Sequence, residues 1–167
     1  MRGISPLNNF RAKPQLHVLG PAAYARATNK TTPQWTINNP NGNFYAVAPE
    51  DFATQYDLSP LYQTGINGNG QTIGIIHESN IDISLVNAYQ QLFGLSSNPT
   101  QVVIDGDDPG TLNGVDTEAY LDVEVSGAVA PKATVNLYIS NGSDFEDPLA
   151  DRSASVIIHS LSPASVW

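Results

Sequence analysis

Gln71-Thr-Ile-Gly-Ile-Ile-His77 is a nearly continuous apolar run, and it constrains the fold more than any other stretch of the chain. A strand with one wet face alternates apolar and polar residues. One without that alternation is buried on both faces, as in a parallel sheet covered by helices. A helical pattern follows it, with Leu85, Val86, Tyr89, Leu92 and Phe93 at helical spacing, Asp82 or Ser84 available as N-cap and Gly94 as terminator. Val102-Val-Ile104, Thr134 to Ile139 and Ser155 to Ile158 read as further strands, and the spacing predicts a helix over 116–129. Glu50 to Tyr56 reads as a short helix leading into Leu58-Ser-Pro-Leu-Tyr62. Strands alternating with helices predict an α/β domain with a mainly parallel sheet flanked by helices. Catalytic groups in such sheets lie beyond the carboxyl ends of the strands.

Residues 1–45 differ in character. Pro6, Pro14, Pro21, Pro33 and Pro40 are spread among Asn, Gly and Thr, with no sustained helical or strand period, so this part reads as a linker or processed segment. A domain edge is expected near Ala46, leaving 46–167 as the α/β portion. Of the seven basic residues, Arg2, Arg11, Lys13, Arg26 and Lys30 lie before that edge, so the remainder is more acidic than the average. The formal charge of −9 argues against nucleic acid or an anionic membrane surface as partner and suits an acidic working environment. With 167 residues and 41% hydrophobic content, one domain with a real core is expected. No cysteine is present, which excludes disulfides and thiolate metal sites. The opening Met-Arg-Gly-Ile-Ser-Pro-Leu lacks the apolar region of a secretory signal, and no run approaches the length of a membrane span.

Glu118 and Asp122 are the candidate catalytic residues. At about 100° per residue they share a line with Val125 and Val129, flanked by Leu121 and Ala128 on one side and by Ala119 and Val123 on the other. Tyr120, Glu124 and Gly127 are expected to face away. Two carboxylates desolvated together repel, which raises the pKa of one and suits general acid/base chemistry. The plainer reading is a surface helix end, with Glu118 favoured by the helix dipole.

The other motifs are weaker. Gly65-x-x-Gly68-x-Gly70 precedes a strand, whereas phosphate loops follow one, so it reads as a turn. Asp105-Gly-Asp-Asp-Pro-Gly110 lacks the ligand spacing of a calcium loop and also reads as a turn. His77, at the end of the first buried strand, stands in the right place for a base or a ligand, but no metal spacing accompanies it, and a structural polar role is the default. The Asp-Thr-Gly signature of a Ser-His-Asp hydrolase does not follow Ile76, and no Gly-x-Ser-x-Gly elbow occurs.

Several segments together resemble the sedolisins, the serine-carboxyl peptidases that include the kumamolisins. They are Ala48 to Tyr56, Pro60-Leu-Tyr, Gly65 to Ile76, Ser79-Asn-Ile81, Phe93-Gly-Leu95, Asp105-Gly-x-x-Pro-Gly110, Glu118-x-x-Leu-Asp122-Val-Glu, and Ser126-Gly-Ala-Val-Ala-Pro-Lys-Ala-Thr134. The resemblance implies a subtilisin-like sheet, here incomplete at the C-terminus, and a secreted, acid-acting endopeptidase of protein or peptide substrates, working as a monomer. Glu118 takes the place of the glutamate that acts as general base toward a serine, and Asp122 that of the aspartate orienting it. The serine, the oxyanion aspartate and the calcium site of such peptidases belong to a later part of the chain. In some relatives a glutamate extends the hydrogen-bond chain where this sequence has His77. The stretch from His159 to Trp167 matches nothing in the pattern, and the part before Ala46 resembles the end of a prosegment. The expectation is an N-terminal portion of a peptidase, inactive by itself and marginally stable with an unpaired sheet edge. A non-catalytic peptide-binding or regulatory module derived from such a peptidase is the alternative. A glycosidase pair ranks last, because no aromatic sugar platform accompanies the carboxylates.

Overall fold

A computed structural model describes residues 23–26, 35–40, 42–95, 99–140 and 156–159. Four parallel strands form its central sheet: β4 (Thr72–His77), β5 (Thr100–Asp105), β6 (Thr134–Ser140) and β7 (Val156–His159), in the order β5-β6-β4-β7. In register, Ile73, Ile75 and His77 of β4 lie beside Val135, Leu137 and Ile139 of β6. The α/β architecture expected from the apolar run is therefore present, and β4 is buried on both faces, since Ile75 and Ile76 point oppositely and are both inaccessible.

Two helices connect the strands. α3 (Ile83–Leu92) joins β4 to β5, and α4 (Asp116–Val129) joins β5 to β6. α3 starts where Asp82 accepts the Ser84 backbone N–H at 2.8 Å, and it ends before Gly94, whose φ of 62° suits a residue without a Cβ. Val86 of α3 and Ala119 and Val123 of α4 share one core with Ile75, Val135, Leu137 and Ile139. Both helices therefore cover the same sheet face. Outward from β4 to β5 and back from β5 to β6, the chain travels in opposite directions over that face, so the two crossovers have opposite hands. One of them is left-handed, a hand that only about 2% of such connections take.

Ahead of the sheet lie α1 (Pro49–Gln55) and α2 (Ser59–Gln63). Asp51 closes the first turn of α1 by accepting the Ala48 N–H at 2.9 Å. α2, not expected as a helix, is a single turn with Pro60 in its first positions, where a missing N–H costs nothing.

The segment before Ala46 departs from the linker expectation. β1 (Ala23–Arg26), β2 (Trp35–Asn39) and β3 (Gly42–Ala46) form an antiparallel sheet. A tight Pro40-Asn41 connection pairs Asn39 with Gly42, a turn composition that favours a hairpin. Strands of four and five residues are too short to show a sustained period, and that hid them. Trp35 meets Phe93 edge-on, with ring centroids 4.9 Å apart. The tail from 160 onward, the two sequons and the basic residues other than Arg26 and Lys132 lie outside the described residues. Among the described residues, no helix is long and apolar enough to cross a membrane.

Candidate functional site

The site is built at the carboxyl edge of the sheet, where the loops after β4 and β5 meet the start of α4. Those loops are stitched together. Ser79 is buried, its Oγ accepts the Leu112 N–H at 2.9 Å and donates to the Asn80 carbonyl at 2.9 Å, and the Asn80 N–H reaches the Gly110 carbonyl at 3.1 Å. Asp108 accepts from Asn80 Nδ2 at 3.1 Å and from the Gly110 N–H at 2.8 Å. The Asp-Gly segment 105–110 thus serves as a turn that fastens one loop to the other. Gly65, Gly68 and Gly70 likewise form a turn, all at positive φ.

α4 spans the residues the spacing predicts, but its docked face is rotated from the expected one. Ala119, Val123 and Gly127 are the buried residues, while Leu121 is 58% exposed. Gly127 was expected to face away and is buried. Glu124, also expected outward, is half-buried, and burial lifts its pKa to about 7. The small side chains at 119, 123 and 127 explain the rotation, because they let the helix backbone come close to the sheet where the bulkier Leu121 and Val125 would hold it off. The α3 side of the helix carries Tyr120, whose hydroxyl accepts the Asp82 N–H at 2.8 Å, and Glu124, which acts on Tyr89. Burial, with the Glu124 charge second, pushes the Tyr89 hydroxyl up to about 12.

Glu118 and Asp122 lie on the other flank of α4, both half-buried. Glu118 is the third residue of the helix, in the turn where the macrodipole favours a carboxylate. Asp122, one turn deeper, has a buried Oδ2 and borders an apolar groove of about 760 Å3 whose walls include Val47, Phe52, Leu121 and Val125.

His77, read as structural from sequence, joins this pair. It is 4% exposed, and both carboxylates act on it electrostatically. Burial lowers its pKa, opposed first by Asp122, then by Glu118 and Glu78. A signal was available in the sequence: a histidine closing a fully apolar strand must sit at the sheet's carboxyl edge, beside the start of the next crossover helix. Among the described residues, no group of three or more His, Asp or Glu side chains could hold a metal ion.

Chemically, two carboxylates one helical turn apart, one with a buried oxygen and both beside a sequestered imidazole, can take and hold a proton. No family model matches the chain. Kumamolisin from Bacillus sp. (strain MN-32) is 34% identical over 113 residues, covering 62% of this chain and 20% of kumamolisin. The chain therefore spans a fifth of the length of that curated relative. This likeness supports a sedolisin-like relationship, at the level of a peptidase of that kind.

Proposed function

We propose that the chain contributes the general-base half of an acid-acting serine-carboxyl endopeptidase. In this reading Glu118 accepts the proton of a serine hydroxyl as that oxygen attacks a peptide carbonyl, and Asp122 holds Glu118 in place. The serine and its oxyanion partner belong to sequence outside these 167 residues, and the calcium site of such peptidases lies there as well. The substrate is a protein or peptide, and the enzyme is secreted and monomeric. The observation that carries the reading is the placement of Glu118 and Asp122 on one flank of α4 with His77 within electrostatic reach at the carboxyl edge of β4. Identity to kumamolisin supports the same reading. A glutamate base suits acid chemistry, because it is ionised at pH values where a histidine base is already protonated.

The groove beside Asp122 favours a second reading, a non-catalytic module that binds an extended apolar peptide. Self-cleavage separates the two. In a longer form of the chain carrying the serine, Glu118→Gln abolishes autoprocessing at acid pH. Processing that continues unchanged removes Glu118 from its role and leaves the binding module.

A further inference from the structure

The His77 ring is held in one orientation. The Ser79 backbone N–H donates to its Nδ1 at 3.1 Å, and Ser79 is itself anchored through its hydroxyl to Leu112 in the loop after β5. A ring nitrogen that accepts a hydrogen bond carries no proton, so the neutral imidazole is the Nε2–H tautomer. Three carboxylates act on this ring: Asp122 and Glu118 from α4, and Glu78 from the loop that follows β4.

We propose that His77 is a positioning residue for Glu118 and Asp122, so that the three side chains form one acid-base cluster in which a proton on any member alters the proton affinity of the others. The meaning for catalysis rests on the peptidase reading above; the coupling itself does not. Interacting titratable groups exchange influence reciprocally, so carboxylates that favour the imidazolium are in turn ionised more readily beside it. Below the titration midpoint of His77 a cation stands near Glu118 and Asp122 and keeps the base deprotonated to lower pH. Above that midpoint the ring is neutral and its effect is confined to holding shape.

The test uses the 167-residue chain with 15N-labelled histidine, followed by two-bond 1H–15N correlation from pH 4 to 8. His77→Asn assigns the signal against His17 and His159. The expected result is an Nε2–H tautomer with a midpoint below the ordinary histidine value. Asp122→Asn lowers that midpoint further by roughly half a unit, and Glu118→Gln moves it the same way by less. Asp57→Asn, whose carboxylate is not among those acting on the ring, leaves it within about 0.1 unit, as a purely structural histidine would show for all three. Should Asp122→Asn fail to fold, Glu118→Gln carries the test. An Nδ1–H tautomer, or a midpoint that the helix variants leave unmoved, overturns the cluster. In the longer, active form, His77→Gln shifts the acid limb of the kcat/KM profile upward by about half a unit. An unshifted limb also overturns the proposal. Coupling without Glu118-dependent cleavage would defeat the peptidase reading alone, and Glu118-dependent cleavage without coupling would defeat the cluster alone.

Discussion

The hydroxyl of Tyr62 donates to the carbonyl of Val129 at 2.7 Å, joining α2 to the last turn of α4 across 67 residues of sequence. The last four carbonyls of a helix have no partner within it, and this bond satisfies one of them. Burial raises the Tyr62 pKa, so the phenol stays a donor throughout the working range. Tyr62→Phe should cost about 1 kcal/mol in urea unfolding, with the midpoint moved and the slope unchanged.

Glu124 makes stability depend on pH in a defined direction. Its folded pKa of about 7 lies above the ordinary 4.5, so across that window the unfolded chain releases a proton that the native chain keeps. Stability is therefore full below 4.5 and falls as pH rises toward 7. Because the side chain is only partly buried, the loss is about 1–2 kcal/mol after solvent screening. Glu124→Gln should restore about that much at pH 8 and change little at pH 4. Equal effects of the substitution at both pH values would show that Glu124 does not titrate differently in the native state.

Gly68 and Gly65 separate two costs of adding a methyl group. Both have positive φ, at 86° and 85°. A Cβ at Gly68 would come within 3.0 Å of the Ala130 and Ala133 Cβ atoms, while one at Gly65 meets nothing within 4 Å. Gly65→Ala should cost about 1 kcal/mol from the backbone alone, and Gly68→Ala at least about 2. Thermal unfolding of the pair measures the difference.

β5 stands at one edge of the parallel sheet, with Val103 and Ile104 each about two-fifths exposed. An edge strand of this kind invites pairing between molecules. The chain should associate as its concentration rises, and Val103→Lys should reduce that association in light scattering coupled to size exclusion. A monomer at all concentrations would contradict this.

The sheet and its helices were legible in the sequence because their periods are long: a six-residue strand without polar breaks and a fourteen-residue helix declare themselves. The hairpin before Ala46 was not, since strands this short leave no period to read and their pairing is set by a turn. Within the site, the positions of Glu118 and Asp122 on one flank followed from spacing. Which flank faced the core did not, because Ala119, Val123 and Gly127 dock through their small size, a property of fit to β4 and β6 rather than of hydrophobic count. His77 escaped notice for a related reason: its neighbours are 41 and 45 residues away in sequence and come beside it only when α4 crosses the end of β4.

The most direct test of the central claim is kcat/KM for peptide hydrolysis at acid pH by a longer form of the chain carrying the serine, compared with its Glu118→Gln variant. Removing the base while leaving the fold intact should lower kcat/KM by at least about 10³-fold, with most of the loss in kcat. Asp122→Asn should follow in the same direction. A Glu118→Gln enzyme that is correctly folded and within about tenfold of the parent would contradict the assignment of Glu118 as the base.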